Sequence, residues 1–295
     1  MSPASQYAVI GDPVEHSLSP RLFEWLFAEL GIAGAYTALR VPAAELSGAI
    51  KRVRSGELEG VSVTLPHKET AIPFVDHLDQ LATQIGAVNC LAHQAPNEVA
   101  GWNTDARGFR RALEGAGVKL GGARVLLLGA GGAARAAGFC AVEAGARSLT
   151  IANRSTERAF RLSRDLITSG MAHASQGSAN PAGCALQVLA MSSPLLAQEP
   201  ADIVVNATSL GLAGNEGDPL PPAISLSSRN VVLDMVYQPL DTALLARARA
   251  AGATTVDGIW MLVHQALEQL QLWTGHQLNS DIAARLHDRL AEVTQ

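Results

Sequence analysis

The stretch "VLLLGAGGAARAAGFCAVEAG", residues 125–145, constrains the fold more than any other. A continuous apolar run, a cluster of glycines and an alanine-rich segment follow one another without interruption. That order reads as strand, tight turn and helix of a parallel α/β sheet. Gly129, Gly131 and Ala134 fit the spacing G-x-G-x-x-A. The first glycine permits the turn, the second lets the backbone approach a pyrophosphate, and the third small residue lets the helix pack on the strand. The N–H groups opening the helix then face the phosphates of a dinucleotide.

Around this stretch the pattern repeats. "ARVLLLG" (123–129), "SLTIANR" (148–154), "DIVVNAT" (202–208) and "NVVLDMV" (230–236) are apolar, β-branched runs with little alternation. Such runs suit central strands of a parallel sheet covered on both faces. Towards the N-terminus a second alternation precedes it. A strand closed by a Gly-Asp-Pro turn is predicted over 7–13 and further strands at 35–41 and 60–65, with helices at 19–31 and 43–56 between them. Ser19 can cap the first helix, Pro20 suits its first position and Gly31 ends it. In "GVSVTLPHKE" (60–69), Val61 and Val63 alternate with Ser62 and Thr64 as in a half-buried strand, and Leu65-Pro66 stops the ladder. A hairpin is predicted from 85–94 and 98–105, then a helix over 106–117. Two helices, 258–275 and 281–293, end the pattern. Residues 167–200, rich in Gly, Ser, Ala and Pro, show no clear period. The expected fold is α/β in two domains: an N-terminal, mostly parallel α/β domain and a Rossmann-like domain, the sheet changing near residue 106.

With 48% hydrophobic and 17% charged residues the chain can bury a substantial core. A net charge of -5, with no basic run, argues against nucleic acid. No window reaches the ~18 apolar residues of a membrane span. "MSPASQYAVIGDP" lacks the charged start and apolar stretch of a signal peptide. Cys90, Cys140 and Cys184 are odd in number and form no CxxC pair, so they read as small buried hydrophobes in a reducing compartment. The histidines show no metal-ligand spacing, and no metal is expected. A cytoplasmic protein is the expectation, as a monomer or a homodimer.

The end of the second central strand discriminates between dinucleotides. NAD would call for an Asp or Glu there to hold the ribose 2′-hydroxyl. The chain has Asn153, Arg154 and Ser155, with Arg158 one helical turn on, and guanidinium groups suit the 2′-phosphate of NADP. The other domain should then hold something to oxidise or reduce. Ser17 and Ser19 stand two apart before a helix. Thr64 and Lys68 end a strand, Asn89 lies in "GAVN" and Asp105 ends "GWNTD". Gln265 interrupts an apolar helical face, where it needs a partner. Hydroxyls, amides, one amine and one carboxylate are the groups a small polyhydroxylated acid requires.

"GDPVEHSLSP", "VTLPHKE", "GAVN", "GWNTD", "GAGGAAR", "NRSTERA", "NATSLG", "DMVYQPLDTALL", "DG" before "MLVHQA", and "WTG" occur in this order along the whole chain. Together they resemble the shikimate dehydrogenase family. The resemblance implies a discontinuous substrate domain, 1–106 with 259–295, an NADP-binding domain over 107–258, and an active site in the cleft between them. It also implies that Ser17 and Ser19 hold a carboxylate and that Thr64, Asn89 and Gln265 hold ring hydroxyls. Lys68 and Asp105 become the catalytic pair, with Tyr237 lining the site. Gly129, Ala130, Gly131, Gly132, Ala133, Asn153, Arg154, Ser155, Arg158, Thr208, Met235 and Gly258 would contact NADP. The chain departs from the family at Phe23-Glu24, where His-Asn is frequent after "SP", and at Ser62, where Asn is common. The implied reaction is NADP-dependent oxidation of shikimate to 3-dehydroshikimate. The departures keep open a paralogue acting on quinate or an amino-substituted ring acid. The alternative of another class is a non-catalytic NADP-binding regulator, against which Lys68 and Asp105 speak; in a folate-linked dehydrogenase the paired serines and Gln265 would have no purpose.

Overall fold

The computed structural model describes residues 4–174, 183–279 and 281–294. The chain divides into two compact units, Met1–Arg107 with Leu262–Leu290, and Gly108–Met261 with Ala291–Gln295.

In the first unit, β1 (Ser5–Gly11), β2 (Gly34–Arg40), β3 (Gly60–Val63), β4 (His77–Leu78), β5 (Cys90–Ala95) and β6 (Glu98–Trp102) form one sheet, ordered β2-β1-β3-β5-β6-β4. β1 pairs parallel with β2 and β3, and β4 with β6; β5 runs antiparallel to β3 and β6. The parallel pairs require crossovers, supplied by α1 (Ser19–Leu30) and α2 (Leu46–Arg54). Leu22, Phe23, Leu26 and Phe27 give α1 its buried face, and Gly31 ends it at a φ of 65°. Ser19 is not the cap. Leu18 takes that position without a side-chain bond, and Ser19 N–H donates to Ser17 Oγ at 3.3 Å.

Period 2 along β1 and β3 sends Ala8, Ile10, Val61 and Val63 into a cluster with Ile50, Val53, Leu91 and Val99. The opposite face is aromatic. Phe23 stacks on Tyr36 with centroids 4.2 Å apart, and Trp273 lies 5.2 Å from both Tyr7 and Phe23. Trp273 reaches the sheet because residue 60 is glycine: a Cβ there would meet its ring at 2.5 Å. It belongs to α8 (Gly258–Thr274), which packs in this unit from Leu262 onwards, with most of α9 (Ile282–Val293). β3 is therefore buried on both faces rather than half-exposed, and Ser62 is only 6% accessible. α3 (Gln80–Ile85), capped by Asp79, and the two-residue β4 were not legible from hydrophobic period.

In the second unit, β7 (Arg124–Leu128), β8 (Ser148–Asn153), β9 (Ala185–Ala190), β10 (Ile203–Asn206), β11 (Val231–Asp234) and β12 (Thr254–Val256) form an entirely parallel sheet ordered β12-β11-β10-β7-β8-β9. Counted from β7, this is the 3-2-1-4-5-6 order of the doubly wound dinucleotide fold. α4 (Asp105–Gly115), α5 (Gly132–Glu143), α6 (Thr156–Ala174) and α7 (Ala243–Ala250) complete the helices. The unplaced segment 167–200 contains the end of α6 and β9; residues 175–182 lie outside the described residues. The α5 side chains from Ala134 to Val142 are all buried. They include Arg135, which meets Asp165 of α6 at 2.7 Å. Among the described residues no helix is long and apolar enough to cross a membrane.

Candidate active site

The turn after β3 carries the lysine, and the backbone secures it from several sides. Thr64 N–H donates to Ile10 O of β1 and His67 N–H to Thr64 O, each at 2.9 Å, and Val88 N–H donates to Lys68 O at 2.8 Å. The buried His67 ring reaches Val41 O through Nε2 at 2.5 Å, which ties the turn to the end of β2. Lys68 Nζ then stands 2.6 Å from Asp105 Oδ2, in an ion pair whose side chains are 16% and 5% exposed. Asp105 opens α4, where the helix N-terminus favours a carboxylate. Asn103 fixes that start: its Oδ1 accepts from Ala106 N–H at 3.2 Å and its Nδ2 donates to Ala87 O at 2.9 Å.

Two amides continue the cluster. Asn89 Oδ1 accepts from Thr104 N–H at 2.6 Å, while Nδ2 donates to Asp105 Oδ1 at 2.8 Å and to Gln265 Oε1 at 3.2 Å. Gln265, on α8, donates through Nε2 to Leu262 O at 2.9 Å. Lys68, Asp105, Asn89 and Gln265, four residues distant in sequence, are thus one connected network. Ser17 and Thr64 occupy the neighbouring loops that leave β1 and β3, joined where Asp12 N–H donates to Leu65 O at 3.0 Å, and Ser19 opens α1 at the end of the first loop. Their side chains have no hydrogen bond to the network among the described residues. The sequence reading missed Gln269, Thr104 and the burial of Ser62. The signal for Gln269 was present, because it lies i+4 from Gln265 on the same apolar helix.

In the second unit the nucleotide motif sits where the strand order reverses, between β7 and β10. Gly129, with φ 113°, turns the chain, and a Cβ there would meet Ala207 O at 2.8 Å. Gly131 stands at the N-cap of α5, where a Cβ would meet nothing within 4 Å. Gly132 and Ala133 open the helix and Ala130 precedes it, so free space and unpaired N–H groups coincide there as a pyrophosphate requires. Asn153 Nδ2 donates to Ser155 O at 2.8 Å, and Arg154 and Arg158 are exposed. These residues fit NADP.

A buried carboxylate organises the facing loops. Asp234 accepts from Asn206 Nδ2 at 2.8 Å, Thr242 Oγ1 at 2.7 Å and Val236 N–H at 3.0 Å. Asn206 Oδ1 in turn accepts from Thr208 N–H and Oγ1 at 3.0 and 2.7 Å. Thr208, Met235 and Tyr237 therefore sit on loops tied to Asp234, and Gly258 starts α8. Burial pushes the Asp234 carboxyl above its usual range, against the pull of those three donors.

Comparison with known proteins places this arrangement. Residues 9–91 match the family model of the shikimate dehydrogenase substrate binding domain, and residues 258–282 that of the shikimate 5'-dehydrogenase C-terminal domain. Shikimate dehydrogenase (NADP(+)) of Moorella thermoacetica is 40% identical over 271 residues, 92% of this chain and 88% of its own. A shikimate dehydrogenase crystallised with NADP+ superposes with a TM-score of 0.86 at 29% identity, covering 100% of this chain and 97% of that one. The Thermus thermophilus shikimate 5-dehydrogenase in complex with NADP(H) and shikimate gives a TM-score of 0.81 at 34% identity over 97% and 99%. Similarity at that level along nearly the full length of both chains means that this chain belongs to the shikimate dehydrogenase family.

Proposed function

We propose that the chain catalyses the reversible, NADP-dependent oxidation of shikimate to 3-dehydroshikimate, a step of aromatic amino acid biosynthesis. The observation that carries this reading is the Lys68–Asp105 ion pair at 2.6 Å, joined to Asn89 and Gln265. Oxidising a secondary alcohol removes a hydride from carbon and a proton from oxygen. Bound NADP supplies the hydride acceptor. Lys68 Nζ lies where it can exchange the hydroxyl proton, and Asp105, held by Asn89 from the other side, fixes the amine and accepts from a neighbouring hydroxyl. Ser17 and Ser19 offer hydroxyls for a carboxylate, and Thr64 and Gln265 hold further ring oxygens. Gly129 to Ala133, Asn153 to Ser155, Arg158, Thr208, Met235 and Gly258 form the cofactor's side, with Tyr237 beside them. The division into a substrate domain of 1–106 with 259–295 and an NADP domain of 107–258 follows the same reading.

The test is absorbance at the NADPH band with shikimate, beside quinate, and with NAD replacing NADP. Fast turnover of shikimate with NADP supports the proposal; turnover of quinate alone would sink it. The free, buried Cys90 and Cys140 fit a reducing cytoplasm, where we place the protein. The net charge of -5 favours small-molecule over nucleic-acid partners.

A further inference from the structure

Gln269 has no role so far, yet it is completely buried and every polar atom of its amide is engaged. An amide presents a donor at one end and an acceptor at the other, so its partners decide which way round it stands. Here two backbone carbonyls decide. Asn89 O, which only accepts, lies 3.0 Å from Gln269 Nε2. That turns Gln269 Oε1 towards Ser62, whose hydroxyl donates to it at 2.5 Å and accepts from Tyr36 Oη at 2.6 Å. The other N–H of Gln269 donates to Gln265 at 2.7 Å, so the Gln265 atom there is Oε1. Leu262 O, again only an acceptor, sits 2.9 Å from Gln265 Nε2 and demands the same orientation. Donation therefore runs one way, from Tyr36 through Ser62 and Gln269 to Gln265.

We infer that Gln269 is a positioning residue that locks Gln265 as a hydrogen-bond donor, and that this selects a ring substituent able to accept. The inference rests on the reading of Gln265 as a ring-binding residue. Gln265 Oε1 is occupied by Gln269 and Asn89, whereas Nε2 has committed one N–H and, among the described residues, keeps the other. A hydroxyl or a ring carbonyl satisfies that N–H. A protonated amine, with three donors and no acceptor, meets it donor to donor. The site is thereby set for a polyhydroxylated ring acid and against its amino-substituted counterparts. Without Gln269, Gln265 loses the shortest of the three contacts that hold this orientation, leaving Leu262 O and Asn89 Nδ2, and turning Oε1 outwards to receive an ammonium costs less.

The experiment compares kcat/KM for shikimate with kcat/KM for analogues carrying an amine at ring position 4 or 5, in the unaltered chain and in Gln269→Leu. The expected result is a preference for hydroxyl over amine that falls about tenfold in Gln269→Leu, the typical worth of one hydrogen bond. The loss appears as a raised KM for shikimate, with kcat within about threefold and KM for NADP unchanged. Ser62→Ala, which leaves Gln269 in place but removes its donor, gives a smaller fall, about threefold, and serves if Gln269→Leu does not fold. An unchanged preference in the folded variants, or a loss confined to kcat, overturns the inference alone. No turnover of shikimate by the unaltered chain overturns instead the reaction on which it rests, and the inference with it.

Discussion

Replacing Lys68 by methionine removes the amine while keeping a side chain of similar length. The consequence for stability follows from the neighbours. Asp105 is 3% exposed and has two partners, Lys68 at 2.6 Å and Asn89 at 2.8 Å. Losing one leaves a buried carboxylate half satisfied, which costs on the order of 1–3 kcal/mol. We take about 2 kcal/mol because Asn89 remains, a fall of roughly 4–8 °C in melting temperature. The consequence for activity is larger, since proton transfer by a positioned group contributes about 10²–10⁴-fold. Lys68→Arg separates the two effects. A guanidinium keeps the charge beside Asp105 but does not surrender its proton. Lys68→Arg should therefore melt near the unaltered chain yet lose at least about a hundredfold in kcat. Steady-state NADPH formation gives kcat, and circular dichroism gives the melt. If Lys68→Arg retains kcat within about tenfold, the lysine acts as a fixed positive charge and the proton-transfer argument is refuted.

Gly258→Ala puts a Cβ 2.7–2.8 Å from Met235 O, Met235 C and Val236 O, all backbone atoms that cannot swing away. It should destabilise by about 1–3 kcal/mol in urea unfolding and raise KM for NADP; an unchanged midpoint would refute the packing argument. Arg154→Ala and Arg158→Ala should each raise KM for NADP about tenfold, discounted for exposure, and leave KM for NAD alone. Equal losses with both cofactors would contradict the 2′-phosphate assignment. Asp234 titrates above the ordinary carboxyl range, so the folded chain holds its proton more tightly than the unfolded chain does. Its contribution to stability is full below the unfolded value of about 3.9 and disappears as pH rises through the folded value. The stability of the unaltered chain relative to Asp234→Asn should thus decline above about pH 4, at up to about 1.4 kcal/mol per pH unit. Urea melts across pH 3.5–7 that show a flat or rising difference would exclude it.

Much of this was legible because length and period agreed. β7, β8, β10 and β11 are buried on both faces and read as continuous apolar runs, and α1 and α8 carry enough turns for a stripe to show. β4 and β12, of two and three residues, are too short to show a period, and the alternating exposure of β9 lies in a segment of small residues. Ser62 was misread because alternation reports polarity, and polarity can face a buried partner as well as water. Lys68, Asp105 and Asn89 stood out as polar residues at element ends. Gln269 carries the same signal as Gln265, four residues on, but its partners Ser62 and Asn89 are distant in sequence and only the fold brings them alongside it.

The aromatic face of the first sheet also fixes a timetable. Tyr7, Phe23 and Tyr36 leave the ribosome roughly 240 to 270 residues ahead of Trp273, which covers them. At about 5–20 residues per second the nascent chain carries that uncovered patch for roughly 10–50 s. Over the same interval the six strands of the second unit are all translated and free to pair. Gln265 and Gln269 arrive on the segment that closes the patch, so a chain interrupted before Leu262 exposes a sticky surface and lacks both amides at once. Quality control that recognises the bare aromatic face would thereby remove the molecules that lack Gln265 and Gln269.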